Sequence, residues 1–499
     1  MSLIFKEALA VQAKTSVSRT SETPLCVDLD GTLLRSDILF EALTRAVRRP
    51  SILLKLPLWL LRGRAFLKAQ LAKSISLDVR TLPYNHALLQ FIQTARSNGR
   101  KVVLATGSDH AIATRIAEHL GVFDEVIASD GVHNLTGKGK AKVLHARFGS
   151  HGFSYAGNDR ADLEVWKLSR SAVVVGPTAR FAEQVAELTE VEAHLPDGSS
   201  KLGAFIRLLR PYQWSKNLLV FVPIITANAL SDWAAWGRCA GLFLAMNLMA
   251  SVLYVLNDLT DLESDRIHPQ KQGRPFAAGD LPLWLGFAIL PPGIALAVAV
   301  SAMGGSTTLV GVYGASSLAY SWGLKQFPLV DLFMLTGIYG IRLFAGGVLS
   351  GYLVSVWLLT FSGFLFFSLA TIKRIAEISA WQAQRRVNAR RGYLPADLLP
   401  LQGMGIAASF VSCLVLALYV QSPTVQQNYL SPDLLWGITA LSLFWQCRLW
   451  LATSRGFMLD DPIVYAAKDW VSWLVALVTV VLLALAHSDF SPWLRAFQL

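Results

Sequence analysis

Cysteine is scarce in this chain: four residues among 499, at Cys26, Cys239, Cys413 and Cys447, with no Cys-x-x-Cys pair. That excludes a disulfide framework and a zinc site and predicts buried, reduced thiols. Charge is scarce as well. Only 16% of residues are charged against 53% hydrophobic, and a mean hydropathy of +0.43 excludes an ordinary soluble globular chain. Acid is scarcer than base, 34 Asp and Glu against 45 Lys and Arg, for a net charge of +11. In so apolar a chain this excess predicts cytoplasmic loops and anionic lipid or phosphate partners, and the absence of a nucleic-acid motif predicts no nucleic-acid partner. The first residues lack the basic, apolar, small-residue order of a secretory signal, so the N-terminal part is expected in the cytoplasm.

What is present is uneven along the chain. Residues 23–195 mix charge, glycine and short apolar runs in the manner of a doubly wound α/β domain. Residues 204–490 are dominated by long apolar runs of an all-α polytopic membrane domain. Between them, Glu187 to Ser200 ends in Pro196-Asp197-Gly198-Ser199 turn chemistry, and the linker is placed at 196–203. Nine apolar spans are expected, near 217–232, 237–256, 283–302, 306–323, 329–349, 353–371, 402–420, 434–452 and 470–487. Lys and Arg concentrate in alternate loops. The positive-inside rule therefore predicts a multi-pass protein of the inner (plasma) membrane, with a cytoplasmic N-terminal domain and an external C-terminus. Residues 45–73 interleave Arg48, Arg49, Lys55, Arg62, Arg64 and Lys68 with leucines and Trp59. They read either as a basic helix pair on the anionic leaflet or as a helical cap of the soluble domain.

The densest chemistry lies in Asn257-Asp258-Leu259-Thr260-Asp261-Leu262-Glu263-Ser264-Asp265, at the end of a strongly apolar run. Helical spacing puts Asn257, Asp261 and Asp265 on one face, with Asp258 one position round. Such oxygen donors suit Mg²⁺, which prefers a few carboxylates plus waters and substrate phosphates. Arg266, Lys271 and Arg274 follow at once. Acid-held metal on one side and cationic side chains on the other would grip a diphosphate; a solvated acidic loop is the plainer alternative.

In the N-terminal domain, an apolar strand ends in Asp28-Leu29-Asp30-Gly31-Thr32, a second strand delivers Thr106-Gly107, Lys140 follows, and Asn158-Asp159-Arg160-Ala161-Asp162 comes last. This order resembles the haloacid dehalogenase superfamily. The resemblance implies Asp28 as the nucleophile on phosphorus, Asp30 as general acid/base, Thr106 and Lys140 as phosphate-binding groups, and Mg²⁺ held by Asp28, Asp30, Asn158 and Asp162. Asn158 stands where the family usually carries an aspartate, which implies weaker metal binding. About 70 residues separate the first two motifs, room for a helical cap near 36–90.

Arg210-Pro211-Tyr212-Gln213-Trp214-Ser215-Lys216-Asn217, the Asn257–Asp265 motif and the run of spans together resemble the UbiA superfamily of intramembrane prenyltransferases. Tyr320 to Lys325, Arg342 within Ile341 to Gly347, and Lys373-Arg374-Ile375-Ala376-Glu377 are most similar to its decaprenyl-phosphate 5-phosphoribosyltransferase branch. The resemblance implies Asp258, Asp261 and Asp265 as metal-binding catalytic residues. It implies Gln213, Lys216, Asn257, Arg266, Lys271, Arg274, Tyr320, Lys325, Arg342, Lys373 and Arg374 as substrate-binding residues. Aromatic prenyltransferases of the superfamily carry a second acidic motif after the sixth span; here stand Lys373, Arg374, Arg385, Arg386, Arg390 and Arg391 instead. Bases in that place are expected to take phosphate directly, unless they merely mark a cytoplasmic loop. Asp331 is the expected partner of Arg342 within the membrane. Asp460, Asp461 and the Lys468-Asp469 pair lie on the last cytoplasmic loop, where they either complete the site or are merely solvated, solvation being the plainer expectation. The implied reaction moves 5-phosphoribosyl from phosphoribosyl pyrophosphate to a polyprenyl phosphate, with the soluble domain removing the 5-phosphate. The alternative is prenyl transfer from a prenyl diphosphate to an aromatic or other small acceptor, with that domain inactive or regulatory. A homo-oligomer is left open.

Overall fold

The computed structural model describes residues 23–488 apart from 131–134, 177, 197–199, 270, 384–391, 459 and 460. Arg385, Arg386, Arg390, Arg391, Asp460 and the centre of the expected linker lie outside the described residues. The chain divides into two units. One comprises the described residues up to Leu209 together with Tyr254–Leu290, the other Arg210–Leu253 with the described residues from Pro291 onward.

The first unit is built on a six-stranded, all-parallel sheet of order β3-β2-β1-β4-β5-β6. Its strands are β1 Leu25–Val27, β2 Val102–Asp109, β3 Glu125–Ser129, β4 Ser154–Gly157, β5 Ser171–Val175 and β6 Glu190–Leu195. A strand has period two, so Leu25, Val27, Val102 and Leu104 enter one apolar core with Ile112, Ile116 and Ile92, while Cys26, Val103 and Ala105 enter another with Tyr155, Trp166 and Leu144. Both faces are thereby covered, as a parallel sheet requires. Strand order reverses at β1, which places the loops after β1, β2 and β4 around one crevice at the strands' carboxyl ends.

Glu187–Ser200 contains β6, which ends just before the 196–203 linker and whose pairing with β5 was hidden in the sequence by three charged or imidazole side chains at an edge. Residues 201–203 open the Lys201–Leu209 helix instead of ending a linker. Ala204 and Leu208 of that helix pack with Val255, Leu259, Leu262, Phe276 and Leu283. Between β1 and β2 run the helices Ile38–Ala46, Pro50–Leu53, Leu56–Leu61 and Arg64–Ser74. Leu54, just past the second, and Leu58, Leu60 and Leu61 on the third are exposed.

Among the described residues six helices are long and apolar enough to cross a membrane: Trp233–Thr260, Leu283–Met303, Val330–Ser350, Val356–Ala380, Pro395–Val420 and Pro432–Ser454. Pro462–Lys468 and Trp470–Ala486, bent by 85°, make a seventh if taken as one span. Thr307–Trp322, expected to span, has 16 residues. The expected first span is not one helix: Pro211–Phe221 is 3₁₀ and Val222–Thr226 is a short α-helix. Pro223 cannot donate to a continuing helix, and the segment is held instead against Val330–Ser350, where Gly346 lies so close that a Cβ would meet the Val220 backbone. Of the cysteines, Cys26, Cys239 and Cys413 are buried as expected, but Cys447 is exposed on its helix.

Candidate active sites

The turn after β1 carries Asp28 and Asp30, with Gly31 at φ +75° making the bend that a side chain would strain. Asp28 Oδ1 accepts from Lys140 Nζ at 2.7 Å. Lys140, buried on the Lys138–Phe148 helix, also donates to the Tyr155 hydroxyl at 2.7 Å, which donates in turn to Asp162 Oδ1 at 2.8 Å. The other Asp162 oxygen accepts the backbone N–H groups of Asn158 and Asp159 at 3.0 and 3.1 Å. Asp30 accepts from Ile38 N at 2.9 Å and Ser108 Oγ at 2.6 Å. Thr106 is fully buried and its hydroxyl accepts from Ser108 N, while Asn158 Oδ1 accepts from the Thr32 hydroxyl at 3.0 Å. Asp28, Asp30, Lys140, Asn158 and Asp162 line a cavity of about 390 Å³ that also meets Arg35, Lys68 and Trp284. Thr106 is not among the residues that line it. Ser108 and Tyr155 were not foreseen, although Ser108 follows Thr106 by two residues on the same strand face.

Burial pushes the Asp28 carboxyl up to about 7 against the opposing pull of Lys140, and burial likewise pushes Asp30 up to about 6. A carboxyl that titrates near neutrality suits proton transfer at both stages of a displacement. Asp28, Asp30, Asn158 and Asp162 together line the cavity with hard oxygen donors, a set whose chemistry fits Mg²⁺.

In the same unit the Trp233–Thr260 helix stops before Asp261, and Leu262–Ile267 restarts behind it. The expected single face is therefore broken at its middle carboxylate. Arg274 joins the outer two, its Nη1 lying 3.1 Å from Asp258 Oδ1 and 2.5 Å from Asp265 Oδ2. Asp261 accepts from Arg48. Among the described residues no group of three or more His, Cys, Asp or Glu side chains is placed to hold a metal ion. One guanidinium nitrogen between two carboxylates nonetheless marks a locus where a cation is held, and Mg²⁺ asks for only one or two carboxylates besides water and phosphate. Burial raises Asp265 to about 6, with Arg274 pulling the other way. Arg266, expected on substrate, is instead buried against Glu41. Asn257 lies in the last turn of the long helix, where its carbonyl accepts from Asp261 N at 2.8 Å, and Lys271 is half-buried and contributes to the field at Asp265.

In the second unit Lys216 and Lys373 both donate to Asp461 Oδ2, at 2.7 and 3.0 Å. Asp461 was expected to be solvated. It is buried, its carboxyl is held below the ordinary carboxylate range by Lys373 and Lys216 despite burial, and its other oxygen caps the Pro462–Lys468 helix through Ile463 N. The Asp461-Pro462 start of a short helix was the available signal. Asp469 is likewise engaged, with Arg448.

Asp331 is not the partner of Arg342. It receives Arg374 through two bonds of 2.7 and 2.8 Å and the Tyr320 hydroxyl at 2.9 Å, and both Asp331 and Arg374 are fully buried. Arg374, which also meets Glu377, is thus committed to a buried pair and not presented to a ligand. Arg342 donates to Asn217 Oδ1 at 2.6 Å and the Tyr313 hydroxyl at 3.2 Å, with its guanidinium over the Tyr313 and Tyr339 rings. Helical separation explains the exchange, since Asp331 and Arg342 lie eleven residues apart on one helix and cannot touch. Gln213 lies half-buried on the 3₁₀ segment and Lys325 half-buried on the Leu324–Gln326 turn.

Fold and sites together define a multi-pass membrane enzyme with a hydrolase-like α/β domain ahead of a helical transferase domain. A haloacid dehalogenase-like hydrolase model matches residues 25–165, and a UbiA prenyltransferase family model matches residues 218–456. The chain belongs to the UbiA prenyltransferase family. It is 37% identical over 461 residues to the uncharacterized protein y4nM of Sinorhizobium fredii, covering 91% of this chain and 89% of that one. It is 30% identical over 271 residues to the nodulation protein NoeC of Azorhizobium caulinodans, covering 52% and 85%. Over 179 residues it is 35% identical to the decaprenyl-phosphate phosphoribosyltransferase of Corynebacterium glutamicum, covering 35% of this chain and 54% of that protein.

Proposed function

We propose that the membrane domain transfers 5-phosphoribosyl from phosphoribosyl pyrophosphate to a polyprenyl phosphate, and that the N-terminal domain removes the 5-phosphate from the lipid-linked product. The observation that carries this reading is the convergence of Lys216 and Lys373 on one oxygen of Asp461. Two ammonium groups brought to one carboxylate oxygen concentrate charge-assisted donors of the kind that take phosphate. The likeness to a protein named decaprenyl-phosphate phosphoribosyltransferase supports the same transferred group and a polyprenyl-phosphate acceptor.

In the transfer, a phosphate oxygen of the lipid attacks C1 of the ribose, the C1–O bond to pyrophosphate breaks, and the leaving group takes the electron pair. Mg²⁺, when bound, neutralises charge on that leaving group. Asp258, Asp261 and Asp265 would hold the Mg²⁺ that carries the diphosphate, and Arg274 and Lys271 would supply hydrogen bonds to the diphosphate oxygens. Lys216 and Lys373 bind phosphate, and Arg342, stacked on two tyrosines, keeps Asn217 oriented. In the hydrolase domain Asp28 attacks phosphorus while Asp30 gives a proton to the leaving ribose oxygen. Asp30 then takes a proton from the water that releases phosphate from Asp28. Lys140 keeps Asp28 oriented and partly offsets its burial. The helices between 38 and 74 serve as the cap of this site. Nine spans in the inner membrane, with the N-terminal domain in the cytoplasm and the C-terminus outside, complete the proposal.

Prenyl transfer from a prenyl diphosphate to a small acceptor is the second reading, favoured by the family match itself. Purified protein incubated with Mg²⁺, labelled phosphoribosyl pyrophosphate and polyprenyl phosphate should yield labelled lipid on extraction, and EDTA should prevent it. A prenylated aromatic acid with no ribosyl lipid would establish the second reading instead.

A further inference from the structure

Three ion pairs tie the N-terminal domain to the aspartate motif, and neither reaction requires them. The Ile38–Ala46 helix buries Ile38, Ala42 and Ala46 in the domain core. Helical spacing stacks Glu41 and Arg45 on one face, with Arg48 just past its end. Glu41, 3% exposed, accepts from both terminal nitrogens of Arg266 at 2.6 and 3.1 Å. Arg266 Nε is meanwhile anchored on the Ala277 carbonyl at 3.2 Å. Arg45 pairs with Glu263 at 3.1 Å, and Arg48 donates to Asp261. The order Glu41, Arg45 is thus read against Glu263, Arg266 with opposite charge at each position. The backbone is shaped to match: at Gly279, φ +76°, a Cβ would collide with Arg35.

The two ends of this contact differ in physical kind. Glu41 and Arg266 are both buried, so removing either partner would strand a charge away from water. Arg48 and Asp261 have side chains 38% and 19% exposed, and a solvated ion pair of that sort is readily exchanged for another cation. We propose that the N-terminal domain is a working part of the transferase: Glu41 positions the Leu262–Ile267 helix through Arg266, and Arg48 is an internal counter-cation that a metal-bound diphosphate displaces from Asp261. The inference rests on the reading that Asp258, Asp261 and Asp265 take the metal. Its consequence is that the soluble domain tunes the metal concentration at which transfer begins.

The test uses the full-length protein in detergent with Mn²⁺ as the probe, following free ion by electron paramagnetic resonance; the motif's share of binding is what Asp261→Ala loses. Arg48→Ala and Arg48→Gln should tighten that share by about two- to fivefold, the worth of a partly exposed pair, and Arg48→Lys should restore wild-type binding. The metal concentration giving half-maximal transfer should fall in parallel with kcat little changed. Unchanged or weaker Mn²⁺ binding in both Arg48→Ala and Arg48→Gln would overturn the counter-cation role while leaving the metal reading intact. Wild-type binding indistinguishable from Asp261→Ala would overturn both.

Discussion

The protein builds two carboxylate clusters in one unit and neutralises them by opposite means. Asp28, Asp30 and Asp162 are pinned from within: Lys140 reaches Asp28 from the core, and backbone N–H groups or short hydroxyl bonds hold the others. Asp258, Asp261 and Asp265 are restrained by arginine side chains, Arg274 and Arg48, that stand partly in solvent. A site held by backbone is preset and changes little on binding, whereas one held by long side chains must exchange partners to take a ligand. The difference suits a hydrolase that repeats one displacement on a phosphate and a transferase that admits a metal-bound diphosphate.

The sharpest break of this comparison comes from removing one carboxylate at each site. Asp28→Asn should lower phosphate release by about a thousandfold or more, as loss of a covalent nucleophile does, and leave ribosyl transfer unchanged. Asp258→Ala or Asp265→Ala should abolish transfer and spare hydrolysis of an added lipid-linked phosphate. Assaying both reactions on each variant decides it; one substitution that silenced both would merge the two clusters into one functional site. A smaller contrast separates neighbours in the second unit. Arg374→Ala strands Asp331 and should cost about 3–5 kcal/mol of stability in a denaturation series. Lys373→Ala should leave stability nearly intact and raise KM for a phosphate-bearing substrate about tenfold, near the worth of one charge-assisted bond.

The pH dependence of hydrolysis sharpens the same contrast. Asp28 must be ionised to attack and its carboxyl is raised to about 7, while Asp30 must carry a proton and is raised to about 6, so phosphate release should rise from about pH 5, peak between about 6 and 7, and fall at higher pH. A bound cation favours the ionised form, so more Mg²⁺ should move that rise to lower pH. A rise that ignored Mg²⁺ would separate Asp28 from the metal. The smallest effect expected is from Asn158→Asp, which should tighten Mg²⁺ severalfold by adding a charged oxygen, measured as the Mg²⁺ concentration giving half-maximal release.

Much of the architecture was legible because it depends on local pattern. Apolar runs of membrane length, the alternation that makes Leu25 and Cys26 face different cores, and the ordered Asp28, Thr106, Lys140 and Asp162 motifs all lie within reach of one segment's spacing. The same locality explains the failures. The 211–226 segment is apolar enough to suggest a span, yet its 3₁₀ form is decided by packing on Gly346, more than a hundred residues away. Strand β6 carries three charged or imidazole side chains among its six residues, and only its pairing with β5 makes it a strand.

Partner choice was the least legible property of all. By itself the sequence determined that acids and bases would cluster at the membrane helices and at the ends of the β-strands, because residue type and helical or strand period are written locally. Only the tertiary structure decided that Asp331 belongs to Arg374 and Arg342 to Asn217, that Lys216 and Lys373 share Asp461, and that Arg266 answers Glu41 across 225 residues of chain. An ion pair acts through space over a few ångströms, and the chain distance between its members carries no record of which charges the fold will bring within that reach.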